Sequence, residues 1–165
     1  MANNNSNEVL KAVMRLFPNG VAIVTTKWNG MPVGMTVNTF NSLSLNPVLV
    51  MFSADKTKGN DRPFRESEAF AVNLVESVEV HDTFAKVPMA ERFKRVGYVE
   101  VYGVPVLTES YAYIVLRKYT EVDIGDHAII VGEVLEGKVT RSEPKPLVYF
   151  NRRYVRVYLN EDHSS

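Results

Sequence analysis

Residues 34–47, GMTVNTFNSLSLNP, carry Thr36, Asn38, Thr39, Asn41, Ser42 and Ser44 but no Lys, Arg, Asp or Glu, and lead directly into the apolar run VLVMFS at 48–53. Small hydroxyls and amides can hydrogen-bond a carbonyl or a ring nitrogen without burying a charge. Such a wall suits a flat, polar, mostly uncharged ligand, and Gly34 would let that ligand approach the backbone closely. Just downstream, SADKTKGN offers Ser53, Thr57, Lys58 and Asn60, with N–H groups loosened by Gly59. These are the ingredients of a phosphate cradle, although the Gly-rich Walker consensus is absent. A cavity joining the two would take a planar heteroaromatic head with a phosphorylated tail. The same residues also suit a polar edge strand followed by a solvated loop, and composition alone leaves both readings open.

Further along, Gly125-Asp126-His127 opens an apolar run. Gly125 permits a tight turn, Asp126 can bond the adjacent backbone, and a histidine at a strand mouth can face a cavity and titrate near neutrality. A half-buried histidine satisfied by its neighbours is the alternative. His81, on an amphipathic helix, and His163, in a polar tail, read as surface residues. Glu66, Glu76, Glu79 and Asp82 form no catalytic pair and read as a solvated face. Tyr111, Tyr113 and Tyr119 share strand parity with Val115 and read as core or dimer packing. There is no cysteine and there are three histidines. That excludes disulfides, a thiolate nucleophile and Cys-type zinc sites, and argues against a histidine-rich metal site. The chemistry is expected to come from an organic cofactor or from carboxylates.

The elements that would position these residues follow from periodicity. Ser6 is expected to cap a helix over about 7–17, where Val9, Leu10, Val13, Met14 and Leu16 recur at helical spacing. Strands are expected at 21–26, 32–40, 48–53 and 70–75, with Asn29-Gly30 turning the first hairpin. Residues 63–70 read as a short helix. Residues 77–96 read as helical in two pieces broken by Pro88, and 111–125, 127–140 and 154–159 as further strands. About six long strands with short edge helices predict a mainly β fold, an antiparallel barrel. Spacing alone leaves a sandwich open, and the missing β-α alternation argues against a doubly wound sheet. One core fits 165 residues, with 1–7 and 160–165 as flexible tails. Nineteen basic and nineteen acidic residues leave no excess for a nucleic-acid backbone. With no apolar run near the roughly 20 residues a bilayer requires and no signal-peptide pattern at the N-terminus, a cytoplasmic protein away from membranes is expected.

GVAIVTT, GMTVNTFNSLSLNPVLVMFS, FAVNLV, FAKVPMAERF and DIGDHAIIVGEV follow one another in the order and spacing of the short-chain flavin reductase family. Over residues 9–155 the chain resembles most the reductase components of two-component monooxygenases of the 4-hydroxyphenylacetate 3-monooxygenase type. The resemblance implies an FMN-binding split barrel, that is, a Greek-key β-barrel with peripheral helices, typically homodimeric. It implies reduction of FMN or FAD by NADH or NADPH, with the reduced flavin diffusing to a partner oxygenase. It places Gly34, Met35, Thr36, Val37, Asn38 and Thr39 along the flavin ring. Ser53, Ala54, Thr57, Lys58 and Asn60 then lie at the phosphate arm, and Phe84, Ala85, Arg92 and Phe93 beside the pocket. His127 would serve the nicotinamide site by orienting the carboxamide or donating a hydrogen bond, and Arg152, Arg153 and Tyr154 would cover the pyridine nucleotide. Asn38-Thr39 stands where the family often has two small hydroxyl residues. Rival readings are a non-catalytic FMN carrier, a flavin oxidase like the pyridoxamine-phosphate oxidases, and, disfavoured by the neutral charge, an oligonucleotide-binding barrel.

Overall fold

The computed structural model describes residues 4–158. In chain order it forms α1 (Asn4–Arg15), β1 (Asn19–Gly20), β2 (Ala22–Trp28), β3 (Met31–Val37), β4 (Asn41–Leu45), β5 (Val48–Asp55), α2 (Arg62–Glu66) and β6 (Ala69–Leu74). There follow α3 (Val78–Lys86), a 3-10 turn (Met89–Lys94), β7 (Tyr98–Val101), β8 (Val104–Leu107), β9 (Ala112–Ile124), β10 (His127–Val139), β11 (Leu147–Phe150) and β12 (Arg153–Arg156). Seven strands pair in the order β3-β2-β6-β9-β10-β5-β4, with β1-β11-β12 and β7-β8 as separate small sheets. Every pairing is antiparallel. The mainly β, antiparallel architecture with short peripheral helices is the one the strand pattern predicts.

Alternation explains how one sheet serves two layers. Ala22 and Val24 of β2, Phe70 and Val72 of β6, and Phe52 of β5 point to one side, where they pack with Met35, Leu116, Ile130 and Phe64. Phe52, Phe64 and Phe70 meet edge-on at 5.4–6.5 Å, which adds directional packing to the burial of their area. The other face of β2 puts Ile23 against Val80 and Phe84 of α3 and Leu107 of β8. Between these layers Asn73 is fully buried and fully employed. Its amide donates to the Ile23 carbonyl and Thr25 hydroxyl, and its carbonyl accepts from Leu107 N–H and Ser110 Oγ.

At the seam between β3 and β5, the Thr39 hydroxyl accepts from Ser53 N–H at 2.9 Å and donates to the Ser53 carbonyl at 3.1 Å. A side chain thus stands in for part of a backbone ladder there. The Asn29-Gly30 hairpin forms as expected, with φ of 51° and 77° and Trp28 facing Met31.

Several boundaries differ from the sequence expectation. The first helix starts at Asn4, so Ser6 sits inside it rather than capping it. The helix expected over 63–70 is confined to Arg62–Glu66, because 69–74 is strand. The extended segment after Gly30 breaks at Val37, and 41–45 forms its own strand. The last strand ends at Arg156. The 160–165 tail and His163 lie outside the described residues.

Candidate functional site

A cavity of about 570 Å³ opens beside the β3–β5 seam, a volume typical of a cofactor-sized ligand site. Met35 to Thr39 form one wall, Ser53 to Asp55 with Lys58 and Asn60 a second, and His127 the lip of β10. Asp82, Ala85 and Lys86 come from α3, and Tyr149, Arg152, Arg153 and Tyr154 from the β11–β12 hairpin. The wall strand is uncharged, as its sequence shows, but the cavity is not. Asp55 and Asp82 face it together with Lys58, Lys86, Arg152 and Arg153.

The hydrogen bonds decide what each wall group can still do. Thr36 Oγ1 donates to the His81 carbonyl at 2.8 Å, so towards the cavity it retains only acceptor lone pairs. Thr39 spends its hydroxyl on Ser53 in both directions. Among the described residues the side chains of Asn38, Ser53 and Asn60 carry no hydrogen bond and are free for a ligand. The Asp55 carboxylate accepts from Thr57 Oγ1 at 2.6 Å and Thr57 N–H at 2.7 Å. Those bonds, the side-chain one foremost, hold it below the usual carboxylate range. The Lys56 N–H donates to the Asp126 carbonyl, which ties the 55–60 loop to the β9–β10 turn. His127 Nδ1 lies 2.7 Å from Asp126 Oδ1. With that nitrogen engaged, Nε2 is the free position of the ring. Burial pushes the Tyr154 hydroxyl up to about 12, so it remains a neutral O–H donor at any working pH.

Fourteen of the residues that the resemblance places at the site border this one cavity: Met35 to Thr39, Ser53, Ala54, Lys58, Asn60, Ala85, His127, Arg152, Arg153 and Tyr154. Five do not. Gly34 sits behind the wall, where a Cβ would lie 2.9 Å from Phe84 Cε1 and 3.0 Å from the Val24 carbonyl. Its small size therefore serves packing, not ligand approach. Phe84 is fully buried and stacks edge-on with Phe93 at 5.1 Å, so both belong to the layer beneath. Thr57 faces Asp55 rather than the cavity. Arg92 is buried too, donating to the Gly34 and Val87 carbonyls at 2.7 Å each.

Sequence reasoning missed Val21, Asp55, Lys86 and Tyr149, and set Asp82 aside as a solvated carboxylate; all five line the cavity. Tyr149 was legible only as the alternate partner of Tyr154 across a hairpin, and the two rings meet at 5.6 Å. His81 corrects the surface reading. It is fully buried, its Nε2 lies 2.9 Å from the Val75 carbonyl, and its ring lies 5.7 Å from that of Tyr154.

The donors suit a flavin mononucleotide unit. Uncharged hydrogen-bonding groups on one wall and the Lys58 ammonium on the other are the donor types that a flavin ring edge and a phosphate would need. The fold and site define a small antiparallel barrel with a polar, cation-rimmed cavity at its seam, a barrel that binds a nucleotide-like cofactor. Residues 14–158 match the flavin reductase like domain, and the chain belongs to that family.

Its structure matches the crystal structure of flavin reductase HpaC complexed with NADP+ at a TM-score of 0.89 and 55% identity, covering 92% of this chain and 97% of that one. The NADH-dependent FMN reductase SmoA of Agrobacterium fabrum is 35% identical over 78% of this chain and 74% of its own length. The NADH-dependent flavin reductase of Kitasatospora aureofaciens is 31% identical over 92% and 82%. The reductase component of the flavin-dependent trigonelline monooxygenase of Acinetobacter baylyi is 36% identical over 79% of this chain. The chain spans only 43% of that longer relative.

Proposed function

We infer that the chain is an NAD(P)H-dependent flavin reductase that supplies reduced flavin to a separate monooxygenase, and we propose that FMN is the flavin it takes in the 570 Å³ cavity. The observation that carries this reading is that one cavity gathers the uncharged 35–39 wall, Ser53 and Lys58 of the loop, and His127. Bound flavin supplies the hydride acceptor and a reduced nicotinamide the hydride, so the protein's work is to bind, orient and exclude water. Asn38 and Ser53 offer unspent hydrogen-bonding groups to a ring edge, and Thr36 offers acceptors. Lys58 and Asn60 hold a phosphate. Asp126 fixes the His127 ring so that Nε2 addresses the nicotinamide side, and Arg152 and Tyr154 close over it from the hairpin. No residue here is required as a nucleophile.

The test is anaerobic stopped-flow bleaching of excess FMN and FAD by NADH and by NADPH, with and without protein. Many turnovers per chain are expected. Oxidation of NAD(P)H only in stoichiometry with bound flavin would show a carrier and overturn the reading.

We also propose a cytoplasmic homodimer. No described helix is long and apolar enough to cross a membrane. Val9, Leu10, Val13, Leu16 and Phe17 are all more than half exposed along α1 and its end, a stripe that a second copy can cover. Sedimentation at the mass of one 18.6 kDa chain would refute the dimer.

A further inference from the structure

His81 is fully buried behind the main cavity, and it contacts two of the groups that line it. Its backbone carbonyl accepts from Thr36 Oγ1 at 2.8 Å, on the uncharged wall. Its ring lies 5.7 Å from that of Tyr154, tilted by 34°, and Tyr154 in turn meets Tyr149 at 5.6 Å. Both tyrosines line the cavity, so three rings run from the buried face of α3 to the cavity's cover.

A leucine would fill the space of His81 without burying polar atoms. The histidine leaves Nδ1 with no partner among the described residues, and a buried unmet acceptor is destabilising. What the imidazole provides that an aliphatic side chain cannot is a fixed plane. A carbonyl can only accept, so Nε2 carries the proton and donates to the Val75 carbonyl at 2.9 Å. That bond opposes rotation of the ring and fixes the face it presents to Tyr154.

Tyr154 stands where such a support is needed. β11 and β12 pair with β1 in a small sheet apart from the seven strands, so among the described residues no ladder joins the hairpin to the barrel. Its turn is fastened by Asn151 N–H to the Arg15 carbonyl at 2.8 Å. Its base is fastened by Arg156 Nη1 to the Glu76 carbonyl, also at 2.8 Å. Between these ties the Tyr154 ring rests on His81.

Resting on the flavin-reductase reading, we propose that His81 is a positioning residue whose ring sets the angle at which Tyr154 covers the nicotinamide. Its carbonyl holds Thr36 independently of that ring, so replacing the side chain separates the two contacts.

A double-mutant cycle of His81→Leu and Tyr154→Leu tests this, because only interacting side chains depart from additivity. In His81→Leu the KM for NAD(P)H, and the dissociation constant of the oxidised nucleotide for the flavin-loaded chain, should rise roughly two- to tenfold, the worth of a ring–ring contact. Flavin affinity and kcat should stay near wild type. In the Tyr154→Leu background the same substitution should add nothing further. His81→Gln, which can keep an N–H for Val75 but brings no ring, should behave like His81→Leu, with circular dichroism verifying the fold of each variant. An unchanged nicotinamide KM, an equal rise in both backgrounds, or a parallel fall in flavin affinity overturns the proposal and leaves the reductase reading intact. A wild-type chain that oxidises NAD(P)H with neither FMN nor FAD overturns that reading, and the proposal with it.

Discussion

At the scale of single residues, His127 bears the sharpest prediction. Asp126 is mostly exposed, so its pairing with His127 adds little stability and instead orients the ring. In His127→Ala, kcat/KM for the nicotinamide should fall roughly tenfold, about the worth of one hydrogen bond, with flavin affinity changed far less. Steady-state kinetics beside flavin titration checks this, and parallel loss of both would remove His127 from the nicotinamide side. The wall residues were legible because uncharged hydrogen-bonding side chains in an otherwise apolar strand are chemically conspicuous. His81 was not. On a short amphipathic helix a histidine reads as solvated, whereas one ring beside it, that of Tyr154, arrives from a hairpin some seventy positions later.

At the scale of elements, Gly34 and Arg92 show β3, α3 and the 3-10 turn fitted to one another. In Gly34→Ala the new Cβ meets Phe84 at 2.9 Å and the Val24 carbonyl at 3.0 Å. A ring can yield, but a strand carbonyl cannot without disturbing the ladder. The expected cost is about 1–3 kcal/mol, read as a lower urea midpoint with an unchanged slope. A midpoint equal to wild type would mean that β3 is less tightly clamped than the contacts imply. The long strands were readable from their apolar runs. The β7–β8 hairpin and β11 were not, because their turns, Tyr102-Gly103 and Asn151-Arg152, place non-glycine residues at positive φ, where Asn-Gly or Asp-Gly would have signalled a hairpin.

At the scale of the whole molecule, antiparallel closure was legible from strand count and punctuation, whereas strand order was not, since neighbours such as β2 and β6 are joined only by contacts distant in sequence. Global stability carries the pH prediction. His81 is fully buried, donates Nε2–H to Val75, and has no partner for Nδ1 among the described residues. Burial pushes its pKa below the ordinary 6.5, against smaller upward pulls from the Val75 carbonyl and Asp82. Below pH 6.5 the unfolded chain therefore binds a proton that the folded chain refuses. This contribution to stability is complete above 6.5. It is lost as pH falls, by up to about 1.4 kcal/mol per pH unit, until the folded-state value is passed. Urea midpoints at pH 7.5 and 5.5 should differ for wild type, and differ less for His81→Leu. Equal pH slopes in the two would rule His81 out as the cause.

The closure of the cylinder at Thr39 and Ser53 has a consequence for how a guest enters and leaves. Everywhere else along the seven strands, prising neighbours apart means breaking ladder bonds in succession. At this one join, only a turn of the whole Thr39 side chain about its Cα–Cβ bond releases both bonds to Ser53. The two walls that would flank a bound ring are thus tied to each other by one side chain, while each stays laddered to its own neighbour, β3 to β2 and β5 to β10. A guest at that join displaces a rotamer, not a ladder.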